Sequence, residues 1–331
     1  MVTVYITSVE AGIGKTTIGA GLGQHWLDEG KKIGFLKPAI ADGSAADEDT
    51  AFMKGILGLA EPVELLCPVY SDESRLRSGT KEAYSRVSQG KDVVIIEGIA
   101  TPGQSETGIV EALDAKVIVV AGYSSEPTKT INRCKEFGKH LLGVVVNKVP
   151  RSRMGRVQGE VSSQFSKAGI NILGILPEDR TLLAISIGEL ARSIQGEVIR
   201  GAEKSGELLE NFMLGALSVD PGPAYFGRKT NKAVLLKSER LDMQLAALTT
   251  PTRCLVLTGG IAPRAIVLNQ AEEQHVPVVL AKDDTSTIAG KIETALVSQR
   301  FNQEQKLARL DEIMKQHFNF SGLSKSLGLT R

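Results

Sequence analysis

Residues 8–17, Ser-Val-Glu-Ala-Gly-Ile-Gly-Lys-Thr-Thr, concentrate the side chains and glycines that hold phosphate. Gly12 and Gly14 give backbone N–H groups room to face an anion, and a helix starting behind them adds the partial positive charge of its N-terminus. In such a cradle Gly12, Ile13, Gly14, Lys15, Thr16 and Thr17 line a nucleoside triphosphate. Lys15 meets its β- and γ-phosphates, and the Thr16 hydroxyl ligates Mg2+. Val9 stands where the pattern usually has its first glycine. The bland alternative is a tight turn with a surface lysine, which the strand-loop-helix setting argues against.

Further chemistry-bearing residues sit where apolar runs end. Asp92 to Ile96 leads directly into Glu97-Gly98, placing a carboxylate at a strand's carboxyl end, where open α/β sheets form their sites. Glu97 there suits Mg2+, through water, or else caps a turn. Lys37 closes a second run and can neutralise phosphate or carboxylate charge. Asp47 or Asp49, in the acidic stretch that follows, adds to a metal shell or is simply solvated. Asn147 follows Val144-Val145-Val146, where an amide can read a purine edge or only shape a turn.

The elements that carry these residues read as α/β. Val2 to Thr7 is a β-branched run, and Ile18 to Leu27 has helical apolar spacing. Comparable strands are predicted at 32–37, 92–96, 116–121, 142–146 and 170–176. Runs this continuously apolar are buried on both faces, which means a parallel sheet covered by helices. A smaller α/β domain restarts the alternation, with strands at 232–236, 253–257 and 276–281. The expected division is residues 1–185, residues 186–300, and a C-terminal helical tail at 301–331. The tail serves as a packing helix or a subunit contact. Ser218 to Pro223, with Pro-Gly-Pro at its end, reads as a loop.

Composition narrows the function classes. With 331 residues the chain exceeds one ordinary core, and Lys plus Arg (39) nearly equal Asp plus Glu (38). A net charge of +1 gives no electrostatic reason to expect nucleic acid or an anionic membrane. Cys67, Cys134 and Cys254 are too dispersed for a disulfide framework or zinc site, and neither a signal peptide nor a membrane span is visible. A soluble cytoplasmic protein is expected. The four histidines share no metal-like spacing.

The loop, Gly34-Phe35-Leu36-Lys37-Pro38, Ile96-Glu97-Gly98 and Val146-Asn147-Lys148 resemble dethiobiotin synthetase and its P-loop relatives, most closely the N-terminal region of long phosphate acetyltransferases. That region joins such a domain to one named after an Asp-Arg-Thr-Gly-Gly pattern. Ser238 to Leu248, Leu255 to Gly260, Val276 to Val279 and Asp283 to Thr287 look like this second domain, with Glu239-Arg240 in place of Asp-Arg. The resemblance covers about residues 1–300, and the chain stops where a transferase domain would begin, so phosphate acetyl transfer is not expected of it.

The resemblance implies ATP and Mg2+ in the first domain, a small-molecule effector in the second, and a homo-oligomer. Arg240, Thr258, Gly259 and Gly260 are the second-domain candidates, although Gly-Gly equally permits a sharp turn. The family's phosphate-loop glutamate is replaced by Gly12 and its serine after the strand-two lysine by Ala41; Lys15 and Lys37 match. These departures put diaminononanoate carboxylation in doubt while leaving phosphate binding intact. Glu10 stands where dimeric partitioning ATPases open their loop with lysine. A regulatory nucleotide-binding protein is therefore the first expectation. An ATP-dependent ligase of the dethiobiotin synthetase or cobyrinic acid a,c-diamide synthase type, with Lys15 and Lys37 stabilising transferred charge, is the alternative, and a scaffold that has lost nucleotide binding is the third.

Overall fold

The computed structural model describes residues 1–40, 48–99, 105–215 and 222–329. The chain divides into two compact units, residues 1–179 with 300–331, and residues 180–299.

The first unit is built on a six-stranded parallel sheet. Its strands are β1 (Val2–Ser8), β2 (Ile33–Leu36), β3 (Val93–Glu97), β4 (Lys116–Gly122), β5 (Leu141–Val149) and β6 (Ile172–Pro177). They lie in the order β2-β3-β1-β4-β5-β6, every neighbouring pair parallel. The continuous Val and Ile runs are explained by burial on both faces: Val93 to Ile96 and Val117 to Val120 have no exposed surface. Helices α1 (Lys15–Asp28), α2 (Glu48–Ile56), α3 (Glu73–Val87), α4 (Ser105–Ala112) and α5 (Pro127–Glu136) connect or flank the strands. Because β1 is central and pairs Ile6 with Glu97 of β3, the phosphate loop and the β3 carboxylate emerge side by side on the carboxyl edge.

The second unit holds a five-stranded sheet of β7 (Glu197–Arg200), β8 (Asn211–Leu214), β9 (Lys232–Lys237), β10 (Thr252–Thr258) and β11 (Val278–Leu280), ordered β7-β11-β10-β9-β8. Only the edge strand β7 runs antiparallel to its neighbour. Helices α6 (Ile187–Ser193), α7 (Gly222–Phe226), α8 (Leu241–Leu248), α9 (Ala265–Glu273) and α10 (Thr285–Ser298) sandwich it. Cys254 and Val256 of β10 pack with α6 and α10 on one face. Leu255 and Leu257 pack with α7, α8 and α9 on the other.

Two expectations are corrected. Beyond residue 300 the helices α11 (Leu307–His317) and α12 (Phe320–Leu327) belong to the first unit and not to a third division, α11 packing against α1 and β6. The sulfur of Met314 occupies the space a Cβ on Gly21 would need, and Leu310 lies beside it. Asp179, only 7% exposed, accepts Arg309 Nε at 3.0 Å and Nη2 at 2.8 Å, and Arg151 Nη2 at 2.9 Å. The first unit ends at Asp179. The second correction concerns the Pro-Gly-Pro segment. Ser218 to Pro221 lie outside the described residues, but Gly222 and Pro223 begin α7, since proline's fixed φ and missing N–H suit a helix's first turn.

Candidate functional site

The site is assembled from the carboxyl ends of β1, β2, β3 and β5. Gly14 is the N-cap of α1 with φ +105°, a conformation that only glycine adopts without strain, and Gly12 has φ +72°. No acidic residue occupies the first turn of α1, so its N-terminal field is uncancelled. The Lys15 side chain folds back over the loop: Nζ donates to Ser8 Oγ at 3.3 Å and to the Ile99 carbonyl at 3.4 Å. Burial lowers the Lys15 pKa, while nearby Glu97 opposes that shift.

Thr16 Oγ1 donates to Glu97 Oε1 at 3.0 Å, and Lys37 Nζ reaches the same oxygen at 3.4 Å and Asp49 Oδ2 at 2.7 Å. Asp49 is held in the first turn of α2. Lys15, Thr16, Lys37, Asp49 and Glu97, read from separate stretches of sequence, therefore converge. Glu97 is 4% exposed, and burial raises its carboxyl pKa, with Lys37 pulling the other way. Its second oxygen, Oε2, is buried without a hydrogen-bond partner among the described residues. A hydroxyl, an unsatisfied carboxylate oxygen and a neighbouring aspartate form a hard-oxygen set. It fits Mg2+, which keeps water and phosphate oxygens in its remaining positions. Asp47 and Ala41 lie outside the described residues.

Asn147 and Lys148 act on the loop itself. Asn147 Nδ2 donates to the Ile13 carbonyl at 2.9 Å, and Lys148 Nζ to the Gly12 carbonyl at 2.9 Å. Asn147 is 6% exposed, and its amide nitrogen fills the place of any Cβ on Gly14. That nitrogen braces the cradle, as the turn-shaping alternative has it. Ile13 packs its side chain against Gly122 of β4. Thr17 lies on the first turn of α1, half-buried.

Sequence reasoning missed a group behind the loop. Glu106 of α4, fully buried, accepts from Tyr5 Oη at 3.0 Å and from Thr7 Oγ1 at 3.1 Å, and pairs with Arg133 of α5. The available signal was Thr3, Tyr5 and Thr7 alternating with Val2, Val4 and Ile6 along β1, because buried hydroxyls need partners.

In the second unit the helices after β10 and β11 leave to opposite faces, the arrangement beside which open sheets take ligands. Thr258 and Thr285 share a hydrogen bond of 2.8 Å there. Gly259 and Gly260 have φ +93° and +70°, but their amides are engaged with the Asp283 and Ala281 carbonyls, both at 2.9 Å. The pair therefore turns the chain and does not present bare N–H groups. Arg240 is bidentate to Asp242, at 3.0 and 2.8 Å. Ser238, next to this cluster, has a buried Oγ without a partner among the described residues and was not singled out from sequence.

A glycine-rich loop, two lysines and an oxygen set on the carboxyl edge of a parallel sheet define a P-loop nucleotide-binding protein of the kind that works with Mg2+. The chain belongs to the family described as AAA domain, whose model matches residues 2–186, and a DRTGG domain matches residues 189–295. It is similar to the phosphate acetyltransferases of Nitrosomonas europaea, 24% identical over 75% of this chain and 39% of that one. That of Haemophilus influenzae is 22% identical over 96% of this chain and 52% of that one. The chain thus spans about half the length of these relatives or less. The ATP-dependent dethiobiotin synthetase of Methanococcus vannielii is 25% identical over 54% of this chain and 94% of that one. Among the described residues no helix is long and apolar enough to cross a membrane.

Proposed function

We propose that the first unit binds ATP with Mg2+, and that the second unit binds a small effector and regulates through it, within a cytoplasmic homo-oligomer. The observation that carries the reading is the convergence of Lys15, Thr16, Lys37 and Glu97, with Glu97 Oε2 buried and unsatisfied. Lys15 and Lys37 would neutralise the β- and γ-phosphates. Thr16 and Glu97, with Asp49 behind Lys37, would hold the ion. For the effector, Arg240, Ser238 and Thr258 at the carboxyl edge of the second sheet are the contacts to test. Three dispersed, buried cysteines accord with a reducing compartment. Calorimetric titration with ATP in Mg2+ and in EDTA tests the nucleotide claim: magnesium-dependent affinity is expected, and equal affinity in both media would refute the metal assignment.

A second reading, an ATP-dependent ligase that phosphorylates a carbamate or carboxylate, is favoured by the similarity to dethiobiotin synthetase across nearly the whole of that enzyme. Phosphate release stimulated by diaminononanoate and carbon dioxide would establish it against the regulatory reading. Absence of stimulation would retire it for that substrate.

A further inference from the structure

A buried ionic cluster behind the phosphate loop has no part in the contacts to nucleotide or metal described above. Tyr5 and Thr7 alternate along β1, so their side chains leave the sheet on the same face. Both hydroxyls converge on Glu106, Tyr5 Oη at 3.0 Å from Oε1 and Thr7 Oγ1 at 3.1 Å from each oxygen. Arg133 pairs with Glu106 Oε2, also pairs with Glu136, and lies 4.7 Å from the centre of the Phe137 ring. Burial pushes the Tyr5 phenol above its ordinary pKa, so it stays a donor. Removing such a pair from water costs several kcal/mol per ion, and apolar side chains of similar volume often serve stability as well or better. Stability alone is therefore a poor account of the cluster.

Geometry supplies another account. A Cβ on Gly98 would lie 2.5 Å from Glu106 Oε1 and 2.9 Å from Tyr5 Cε1, and the Gly98 amide donates to the Ile6 carbonyl at 2.8 Å. The residue immediately after Glu97 is thus seated against the Glu106 carboxylate and the β1 backbone. The next residue, Ile99, gives its carbonyl to Lys15.

We propose that Glu106, held by Arg133, Tyr5 and Thr7, is a positioning residue: it sets the Glu97-Gly98-Ile99 turn so that Glu97 faces Thr16 and the magnesium position. The inference rests on the ATP and Mg2+ reading of the site. Glu106 touches neither nucleotide nor metal, and acts through Glu97.

The test uses the full chain with Glu106→Gln, which keeps the shape and one acceptor but removes the charge. Thr7→Val, which removes one donor and buries no unpaired ion, is the second variant. ATP affinity is measured by calorimetry in Mg2+ and in EDTA. The expected result is an affinity loss in Mg2+ of about tenfold for Glu106→Gln and about threefold for Thr7→Val, with less than about twofold change in EDTA. A merely structural cluster would lower both affinities together or neither. That unselective result, in either variant, overturns the proposal while leaving wild-type ATP binding in place. Failure of the wild-type chain to bind ATP at all overturns the nucleotide reading and this inference with it.

Discussion

The Thr16 hydroxyl donates to Glu97 Oε1 at 3.0 Å, joining the first turn of α1 to the end of β3 across 81 residues of sequence. The contact places a metal-competent hydroxyl and a metal-competent carboxylate on one position, with Lys37 3.4 Å from the same oxygen. Replacing Glu97 by Gln keeps the shape and removes the charge. Calorimetry of Glu97→Gln is expected to show ATP affinity in Mg2+ reduced by roughly tenfold or more, the scale of one lost charge-assisted contact. ATP affinity in EDTA should not fall, since a carboxylate beside the phosphates has gone.

Asn147 offers a test of what holds the cradle. Its amide nitrogen meets the Ile13 carbonyl at 2.9 Å in a buried setting, and losing a buried hydrogen bond costs about 1–3 kcal/mol. Asn147→Ala should weaken ATP and GTP to the same degree, roughly tenfold. A changed ratio between the two nucleotides, measured by competition, would assign Asn147 a base-reading role instead.

Magnesium-dependent affinity should pass through a maximum with pH. Burial raises the Glu97 carboxyl above its ordinary value of 4.5, so on acidification it takes up a proton at higher pH than an exposed glutamate and releases the ion. Burial lowers Lys15 below its ordinary 10.5, so on alkalinisation it loses its charge early and phosphate attraction falls. Titrations across the range should show both limbs, with the acid limb absent in Glu97→Gln. The sign for the ligand-free protein follows from the same shift. With the folded carboxyl pKa above the unfolded one, the Glu97 contribution to stability increases as pH falls through the folded value.

Much of the first unit was legible because its signals are local. Glycines before Lys15-Thr16 announce the loop, and runs such as Val93 to Ile96 announce strands buried on both faces. Glu97 and Lys37 were found because each ends such a run. The docking of residues 300–331 was not legible: Leu310, Ile313 and Met314 mark an apolar stripe, but nothing local says that it meets Gly21 of α1. Glu106 and Arg133 escaped for a related reason, since charged residues on helices read as solvent-facing until Tyr5 and Thr7 appear beneath them. The engagement of the Gly259 and Gly260 amides depends on Asp283 and Ala281 of another loop and was equally invisible.

The C-terminal helices should be anchored by Asp179. Arg309→Ala removes two hydrogen bonds to one oxygen of a buried carboxylate and should lower stability by about 1–2 kcal/mol. Arg180→Ala, which removes an exposed bond to Asn211, should stay within about 0.5 kcal/mol. Thermal melts compare them, and limited proteolysis should release residues 300–331 faster from the Arg309 variant. Equal melting of the two variants would show that apolar packing alone holds α11.

The central claim is that Lys15, at the start of α1, serves a bound polyphosphate. Calorimetric titration of the wild-type chain and Lys15→Ala with ATP in millimolar Mg2+ addresses it most directly. Saturable binding by the wild type and a loss of roughly 10- to 100-fold in the variant, with the melting temperature of the ligand-free protein retained, is the predicted result. Indistinguishable affinities, or no heat of binding from the wild type, would contradict it.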